Sequence, residues 1–190
     1  AACIGREFDA AVLQQIAGLP AAVLEAALGA RVVAIACNTA HAWHGALQQR
    51  FPQLEVLHGV KEVARDLAAR GITDVGLLAT RGTYDAALYQ RELDIQGVRC
   101  HLPLQAERDE VMRGIYDGVK AGNLPLARRC FSEVAQALVA RHGVPALVLG
   151  CTEIPLALQA SPELEGVALL DPAEVLARTL AARAYAPLAA

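Results

Sequence analysis

Two cysteines in the sequence, Cys37 and Cys151, stand in segments that resemble each other. Each cysteine follows a short aliphatic run that ends in a small residue, and each precedes a threonine and a helical pattern. A thiol at the junction of a strand and a helix meets the free N–H groups and the partial positive charge of the helix N-terminus, which lower its pKa and favour the thiolate. Two such thiols at matching positions indicate a functional pair.

Short aliphatic runs alternate with helical patterns, as in α/β proteins with a mostly parallel sheet. The junctions at Cys37, Thr80 and Cys151 are therefore expected at the carboxyl edge of the strands, where such folds bind ligands. We predict strands at 31–37, 54–57, 74–80, 98–102, 146–150 and 167–170. We predict helices at 7–29 with a break near 18–20, at 39–50, 60–70, 83–93, 107–121, 124–141 and 155–159, and from Pro172 onward with Asp171 as its N-cap.

The composition argues against nucleic acid and membranes as partners. The formal net charge is −3 and charges of both signs are interspersed, so no basic surface for nucleic acid is expected. No apolar stretch approaches membrane-spanning length and no secretory leader opens the sequence, so we expect a cytoplasmic protein. The five cysteines form no CxxC pair and are expected to be reduced. Cys3, Cys100 and Cys130 are predicted to be structural, because free cysteine is commonly a core residue.

Three motifs taken together resemble the aspartate/glutamate racemase superfamily, whose racemases use no cofactor. They are Cys-Asn-Thr-Ala-His at 37–41, Thr-Arg-Gly-Thr at 80–83 and Gly-Cys-Thr-Glu-Ile-Pro at 150–155. Their order and approximate spacing match the family, and the resemblance covers essentially the whole chain. Glu153 resembles the aspartate and broad-specificity branch, since glutamate racemases usually carry histidine at that position.

The resemblance implies a reaction and a site. Cys37 and Cys151 would be the two acid/base thiols that remove the α-proton of an amino acid from one face and return a proton to the other. L- and D-aspartate, glutamate or related amino acids would thus interconvert without a cofactor. The residues expected to surround the substrate are Asn38, Thr39, Thr80, Thr83, Thr152 and Glu153. Glu153 could also tune or accept the proton of Cys151, and His41 is a weaker candidate for the same role on the other side.

The resemblance also implies two pseudo-symmetric α/β lobes with the active site between them, residues 1–58 plus 165–190 forming one lobe and 59–164 the other. Family members begin with a further strand, a glycine-rich turn and a helix, on the order of 40 residues. The chain shows no counterpart of that unit, so we expect a first lobe that is incomplete at its N-terminus. The family usually forms homodimers, and we expect a homodimer that binds a small amino acid or dicarboxylate.

Other interpretations of these residues stay open. Asn38, Thr39 and Thr152 could serve only as helix caps, and Thr80 and Thr83 could be ordinary turn residues. His41 and His44 share a helix face, but no third ligand is apparent, so no metal site is predicted. Arg81 and Arg113 are candidates for binding a second substrate carboxylate. The same scaffold would suit a decarboxylase or cis–trans isomerase of a small dicarboxylic acid, or a paralogue that binds a dicarboxylate without turnover.

Overall fold

Two all-parallel β-sheets organise the chain in a computed structural model, which describes residues 32–159 and 161–185. The strands are β1 (Val32–Ala34), β2 (Glu55–Leu57), β3 (Asp74–Ala79), β4 (Arg99–His101), β5 (Ala146–Gly150) and β6 (Ala168–Leu170). The smaller sheet pairs β1 with β2, and the larger sheet has the order β4-β3-β5-β6. Parallel neighbours require crossover connections, and helical segments supply them here. The predicted α/β class is confirmed.

Seven α-helices occur in the described part of the chain. They are α1 (His44–Arg50), α2 (Gly59–Ala69), α3 (Arg81–Asp85), α4 (Leu88–Ile95), α5 (Gln105–Arg113), α6 (Leu124–His142) and α7 (Pro172–Ala184). Short 3-10 turns cover Thr39–Trp43, Ile154–Leu156 and Pro162–Leu164, and a π-helical segment, Gly114–Lys120, continues α5. None of these helices is both long enough and apolar enough to cross a membrane.

The predicted element boundaries differ from the observed ones at several places. Strand 146–150 matches β5 residue for residue, and Asp171 caps α7 by accepting a hydrogen bond from the Ala173 N–H at 2.8 Å. The predicted strand 31–37 ends at Ala34, where its pairing with β2 stops because the residue that follows β2 already caps α2. The helix predicted to end near 93 is interrupted at Ala87, which has a left-handed φ of 50°. The predicted helix 7–29 lies outside the described residues.

The core lies on both faces of the larger sheet. Leu147 and Leu149 of β5 pack with Phe131 under α5, the π segment and α6. The alternate residues Ala146 and Val148 face α2 and α4 on the other side. A parallel sheet covered on both faces requires continuous aliphatic runs rather than alternation, which explains why β5 was predictable from its sequence.

Two of the cysteines predicted to be structural lie in or against this core. Cys130 is fully buried in the cluster beneath α6, and Cys100 is half-buried against the cluster on the opposite face. Cys3 lies outside the described residues. Packing explains the described pair without a chemical role.

Strand β6 and helix α7 bear on the predicted division into lobes. The prediction assigned residues 165–190 to the first lobe, but β6 pairs with β5 in the larger sheet. After β6 the chain crosses to the smaller sheet, where α7 packs on β1 and α2. The sheet of the C-terminal strand therefore differs from the predicted one, while the division into lobes remains a prediction. The expected gap at the N-terminus of the first lobe falls outside the described residues.

Candidate active site

A cavity of about 110 Å³ lies where the carboxyl ends of β3 and β5 face the loop that follows β1. Cys37 approaches from the smaller sheet and Cys151 from the larger sheet, so both predicted thiols line one cavity between the two sheets. The lining residues are Cys37, Asn38, Thr39, Thr80, Ile115, Tyr116, Lys120, Gly150, Cys151, Thr152 and Glu153. Of the two thiols and the six residues expected to surround the substrate, all but Thr83 belong to this lining.

The Cys151 thiol donates a hydrogen bond to a carboxylate. Its Sγ lies 2.9 Å from Oε2 of Glu153, and the Thr152 hydroxyl donates to the same oxygen at 3.1 Å. Burial, reinforced by the hydrogen bond to Glu153, raises the pKa of Cys151 to about 12. The expectation that a helix N-terminus lowers this pKa is therefore wrong for Cys151, because burial and the Glu153 carboxylate raise it, and only a three-residue 3-10 turn follows the cysteine. At neutral pH this sulfur carries its proton.

Glu153 is the acceptor of the hydrogen bond from the Cys151 thiol. Burial opposes its ionisation, but the hydrogen bonds from Cys151 and Thr152, the charge of Lys120 and a backbone hydrogen bond together leave its pKa below the ordinary value. Lys120 adds a nearby positive charge, since its Nζ lies 3.5 Å from Oε1 of Glu153. The same ammonium group sits 4.9 Å from the centre of the Tyr116 ring. Cys151 and Glu153 thus form a thiol–carboxylate pair in which the proton resides on sulfur.

Cys37 is exposed, in contrast to Cys151. Its neighbour Asn38 is oriented by Tyr89 of α4, whose hydroxyl donates to Oδ1 of Asn38. Tyr89 is fully buried, and burial raises its pKa well above the ordinary value, so the hydroxyl keeps its proton. Because Oδ1 accepts the hydrogen bond from Tyr89, the amide N–H groups of Asn38 are its donors towards a ligand in the cavity.

Three threonine hydroxyls form a closed triangle beside the cavity. Oγ1 of Thr39 lies 2.8 Å from Oγ1 of Thr80 and 2.9 Å from Oγ1 of Thr83, and the last two are 3.0 Å apart. Thr80 also caps α3, because its hydroxyl accepts a hydrogen bond from the Thr83 N–H. Thr83 is fully buried behind the other two. Its predicted contact with substrate stays a prediction, and in this structure it reaches the cavity through Thr39 and Thr80.

Several lining residues were missed from the sequence. Ile115, Tyr116 and Lys120 all come from the π segment, and π-helical turns are often found at functional sites. A usable signal was present, since Lys120 is one of only two lysines in the sequence. The arginines considered for a substrate carboxylate lie elsewhere, because Arg81 pairs with Asp109 at 2.9 Å and neither Arg81 nor Arg113 lines the cavity.

The histidines near Cys37 form a stack. The ring centres of His41 and His58 are 5.2 Å apart, and those of His44 and His58 are 4.5 Å apart. No group of three or more potential ligands within residues 32–159 and 161–185 is arranged to hold a metal ion.

Comparison with known proteins identifies a family that matches this chain. A sequence profile of the Asp/Glu/Hydantoin racemase family matches residues 5–180. The chain belongs to this family. A glutamate racemase of Thermus thermophilus is 37% identical to this racemase-family chain over 158 residues, which cover 80% of the chain and 55% of that enzyme. This chain therefore spans about half the length of the Thermus thermophilus enzyme.

Solved structures of an aspartate racemase and of an aspartate racemase homologue share the fold of this chain. An aspartate racemase homologue from Pyrococcus horikoshii OT3 superposes on this chain with a TM-score of 0.73 and 29% identity. The superposition covers 87% of this chain and 71% of that one. The Picrophilus torridus aspartate racemase gives a TM-score of 0.65 at 28% identity, covering 83% of this chain and 64% of that one. Relatives named for glutamate and for aspartate are thus both similar to this racemase-family chain.

Proposed function

We propose that the chain is a cofactor-independent amino-acid racemase, an isomerase that interconverts the L and D forms of aspartate, glutamate or related amino acids. The observation that carries the proposal is the placement of Cys37 and Cys151 on one cavity of about 110 Å³, contributed by two different sheets. Inversion requires that a proton leave one face of the α-carbon and that another arrive on the opposite face. Two thiols on either side of a bound substrate meet this requirement, whereas a single fixed base would restore the starting configuration.

The unlike environments of the thiols suggest an order of proton transfer. Cys151 holds its proton beside the Glu153 carboxylate, so it is the proton donor when Cys37 acts as the base. Cys37 then takes the α-proton while the carbanion receives the Cys151 proton, and both sulfurs end with exchanged roles. For the opposite enantiomer Cys151 must act as the base, and Glu153 is placed to accept its proton. Each sulfur must come within about 3–3.5 Å of the α-carbon.

Polar groups around the cavity supply the remaining stabilisation. Positioned proton transfer contributes only about 10²–10⁴-fold, so fixed donors must stabilise the charge that develops at the substrate carboxylate. The Asn38 amide lines the cavity and is a suitable donor, whereas the Thr152 hydroxyl would first have to release Glu153, to which it gives its one proton. Lys120 is the cationic side chain of the lining, which favours a substrate with a second carboxylate, such as aspartate or glutamate.

Single replacements of the two thiols test the proposal. Cys37→Ser and Cys151→Ser are each expected to lower the racemisation rate by about 10²–10⁴-fold in both directions, because the alcohol is a far weaker acid than the thiol and supplies almost no anionic base. The rates are measured by circular dichroism with L- and D-aspartate and glutamate. Exchange of the α-hydrogen in deuterium oxide provides a second measurement of the same step.

Cys100→Ser is the matched control, because Cys100 is half-buried and lies outside the lining of the cavity. This variant should keep the rate of the unmodified chain. Substantial racemisation by either active-site single variant would exclude the two-thiol scheme. Release of carbon dioxide from a malonate, without any racemisation, would instead favour the decarboxylase alternative.

A further inference from the structure

We propose that His41 is a positioning residue for Cys37: its neutral ring ties the backbone of the Cys37 segment to the start of α2 and so sets where that sulfur stands. This inference rests on the proposed function, because it assigns His41 a part in placing one of the two thiols. It concerns an imidazole that does not line the cavity of the active site itself.

The hydrogen bonds of the ring define its tautomer. The Gly59 N–H donates to Nε2 of His41 at 2.9 Å, so Nε2 is the acceptor. The proton therefore resides on Nδ1, which lies 2.9 Å from the carbonyl oxygen of Cys37 and 3.2 Å from that of Asn38. One ring thus joins two carbonyl groups after β1 to the first amide of α2. Residues 35–37 extend beyond the paired part of β1, so these bonds restrain a segment that the sheet does not hold.

The surroundings of His41 are shaped to its ring. Its side chain is buried, with the residue 4% exposed. A Cβ atom at Gly59 would lie 3.1 Å from both Cε1 and Nε2 of the ring, so glycine permits this close approach. His58 packs against the ring on one side, and His58 in turn packs against His44, whose Nε2 lies 2.6 Å from the Val56 carbonyl oxygen. A ring enclosed in this way has one orientation.

Protonation would break the connection to α2. A second proton would have to sit on Nε2, where it would point at the Gly59 N–H. Neighbouring basic groups disfavour a further positive charge, because His44 lowers the pKa of His41, and His44, His41 and Lys61 lower that of His58. Burial lowers the pKa of His41 and outweighs the opposing hydrogen bonds to the Cys37 and Asn38 carbonyls. The neutral ring, and with it the position of Cys37, is therefore maintained at neutral pH.

Two near-isosteric replacements of His41 test its two hydrogen-bonding nitrogens separately. In His41→Asn the amide N–H can replace Nδ1 towards Cys37, whereas the acceptor for Gly59 is lost. In His41→Gln the amide oxygen can replace Nε2 towards Gly59, whereas the donor to Cys37 is lost. Both variants are expected to lower kcat by about 10–10²-fold with a much smaller change in KM, since a displacement of about 1 Å costs that much. The alkylation rate of Cys37 by iodoacetamide, measured peptide by peptide, should change while that of Cys151 does not.

His44→Gln is the matched control, because it alters the same histidine stack without a hydrogen bond to the Cys37 segment. It should leave kcat and the Cys37 alkylation rate unchanged. NMR of nitrogen-labelled histidine in the unmodified chain should show the Nδ1–H tautomer for His41, together with slow exchange of the Gly59 amide. These two measurements and the alkylation rates need no turnover, so they decide the role of His41 even if the chain proves not to racemise amino acids.

An Nε2–H tautomer in the unmodified chain would overturn the inference. So would His41 variants that keep the Cys37 alkylation rate of the unmodified chain. Absence of racemisation by the unmodified chain, with the Nδ1–H tautomer and altered alkylation observed, would overturn the proposed function alone.

Discussion

The two thiols of the site have similar sequence contexts and different physical environments. Cys37 is exposed, whereas Cys151 is 8% exposed and donates to the Glu153 carboxylate. Local sequence predicted the same lowered pKa for both, because each follows a strand. Burial depends on what the rest of the chain packs around each sulfur, and for Cys151 its effect exceeds that of the short turn that follows. The pair is therefore asymmetric before any substrate binds.

Replacing Glu153 by glutamine should make Cys151 more reactive towards alkylating reagents. Because the Glu153 carboxylate contributes to the raised pKa of Cys151, Glu153→Gln lowers that pKa and increases the thiolate fraction at mildly alkaline pH. Each unit of pKa change corresponds to about a tenfold change in thiolate. The measurement is the alkylation rate of the Cys151 peptide by mass spectrometry. An unchanged or slower rate would show that burial alone sets the pKa, and the Cys130 peptide serves as an internal control.

At the level of elements, the π segment contributes side chains to the cavity, and no sequence motif predicted them. It can pack closely on α6 because two of its positions are glycines. A Cβ at Gly118 would lie 2.7 Å from Cβ and 2.9 Å from Cα of Ala127, and a Cβ at Gly114 would lie 2.5 Å from the Phe131 ring. The close approach places Tyr116 and Lys120 on the cavity wall. The position of that wall therefore depends on packing against α6.

A methyl group at Gly118 should disturb this contact. Gly118→Ala is expected to lower the free energy of unfolding by about 1–3 kcal/mol, because the added methyl meets backbone atoms that cannot move aside. Gly45→Ala in α1 is the control, since a Cβ there meets nothing within 4 Å. It should raise the free energy of unfolding by about 0.5–1 kcal/mol through helix propensity. Equal effects of the two substitutions in urea denaturation would contradict the packing explanation.

Some of these elements could be predicted from the sequence and others could not. β5 was predicted to the residue because a strand buried on both faces must be aliphatic throughout. The break at Ala87 and the π segment were not predicted, since their backbone conformations depend on packing between helices rather than on local propensity. At the site, the pattern of strands and helices placed Cys37, Thr80 and Cys151 at strand ends, and the remaining motif residues came from the family resemblance. Tyr89, whose hydroxyl donates to Asn38, was missed because it approaches from a helix whose pattern is ordinary.

At the scale of the whole molecule, α7 and the histidine stack connect parts of the fold that the sheets leave separate. After β6, α7 crosses to pack on β1 and α2. The His41–His58–His44 stack joins the segment after β1 to β2 and α2. Burial lowers the pKa of both His41 and His58, so the surroundings of the stack favour uncharged rings. The stability of the whole chain is therefore expected to depend on the protonation of this stack.

Acidification from pH 6.5 to about pH 4 should destabilise the chain. Burial, together with the charges of the neighbouring histidines, lowers the pKa of His58 from 6.5 to about 4. The unfolded chain therefore binds this proton first as the pH falls, and the free energy of unfolding decreases across the interval. The stabilisation is fully present above pH 6.5. Denaturation with urea at a series of pH values measures the slope.

The variant His58→Asn removes the titrating ring while keeping an N-cap for α2, because asparagine can accept from the Lys61 N–H as His58 does. Its free energy of unfolding should fall less steeply than that of the unmodified chain between pH 6.5 and about pH 4. Parallel curves for the two chains would assign the pH dependence to other groups.

The triangle of Thr39, Thr80 and Thr83 has a consequence for proton counting. Three hydroxyls carry three protons, and a closed ring with three edges uses all of them, each oxygen giving one and receiving one. Such a ring can circulate its protons in either sense, but in neither sense is a proton left over for an incoming anion. A carboxylate that takes a hydrogen bond from Thr39 or Thr80 must therefore open one edge of the ring, so occupancy by an anion and an intact ring are mutually exclusive states.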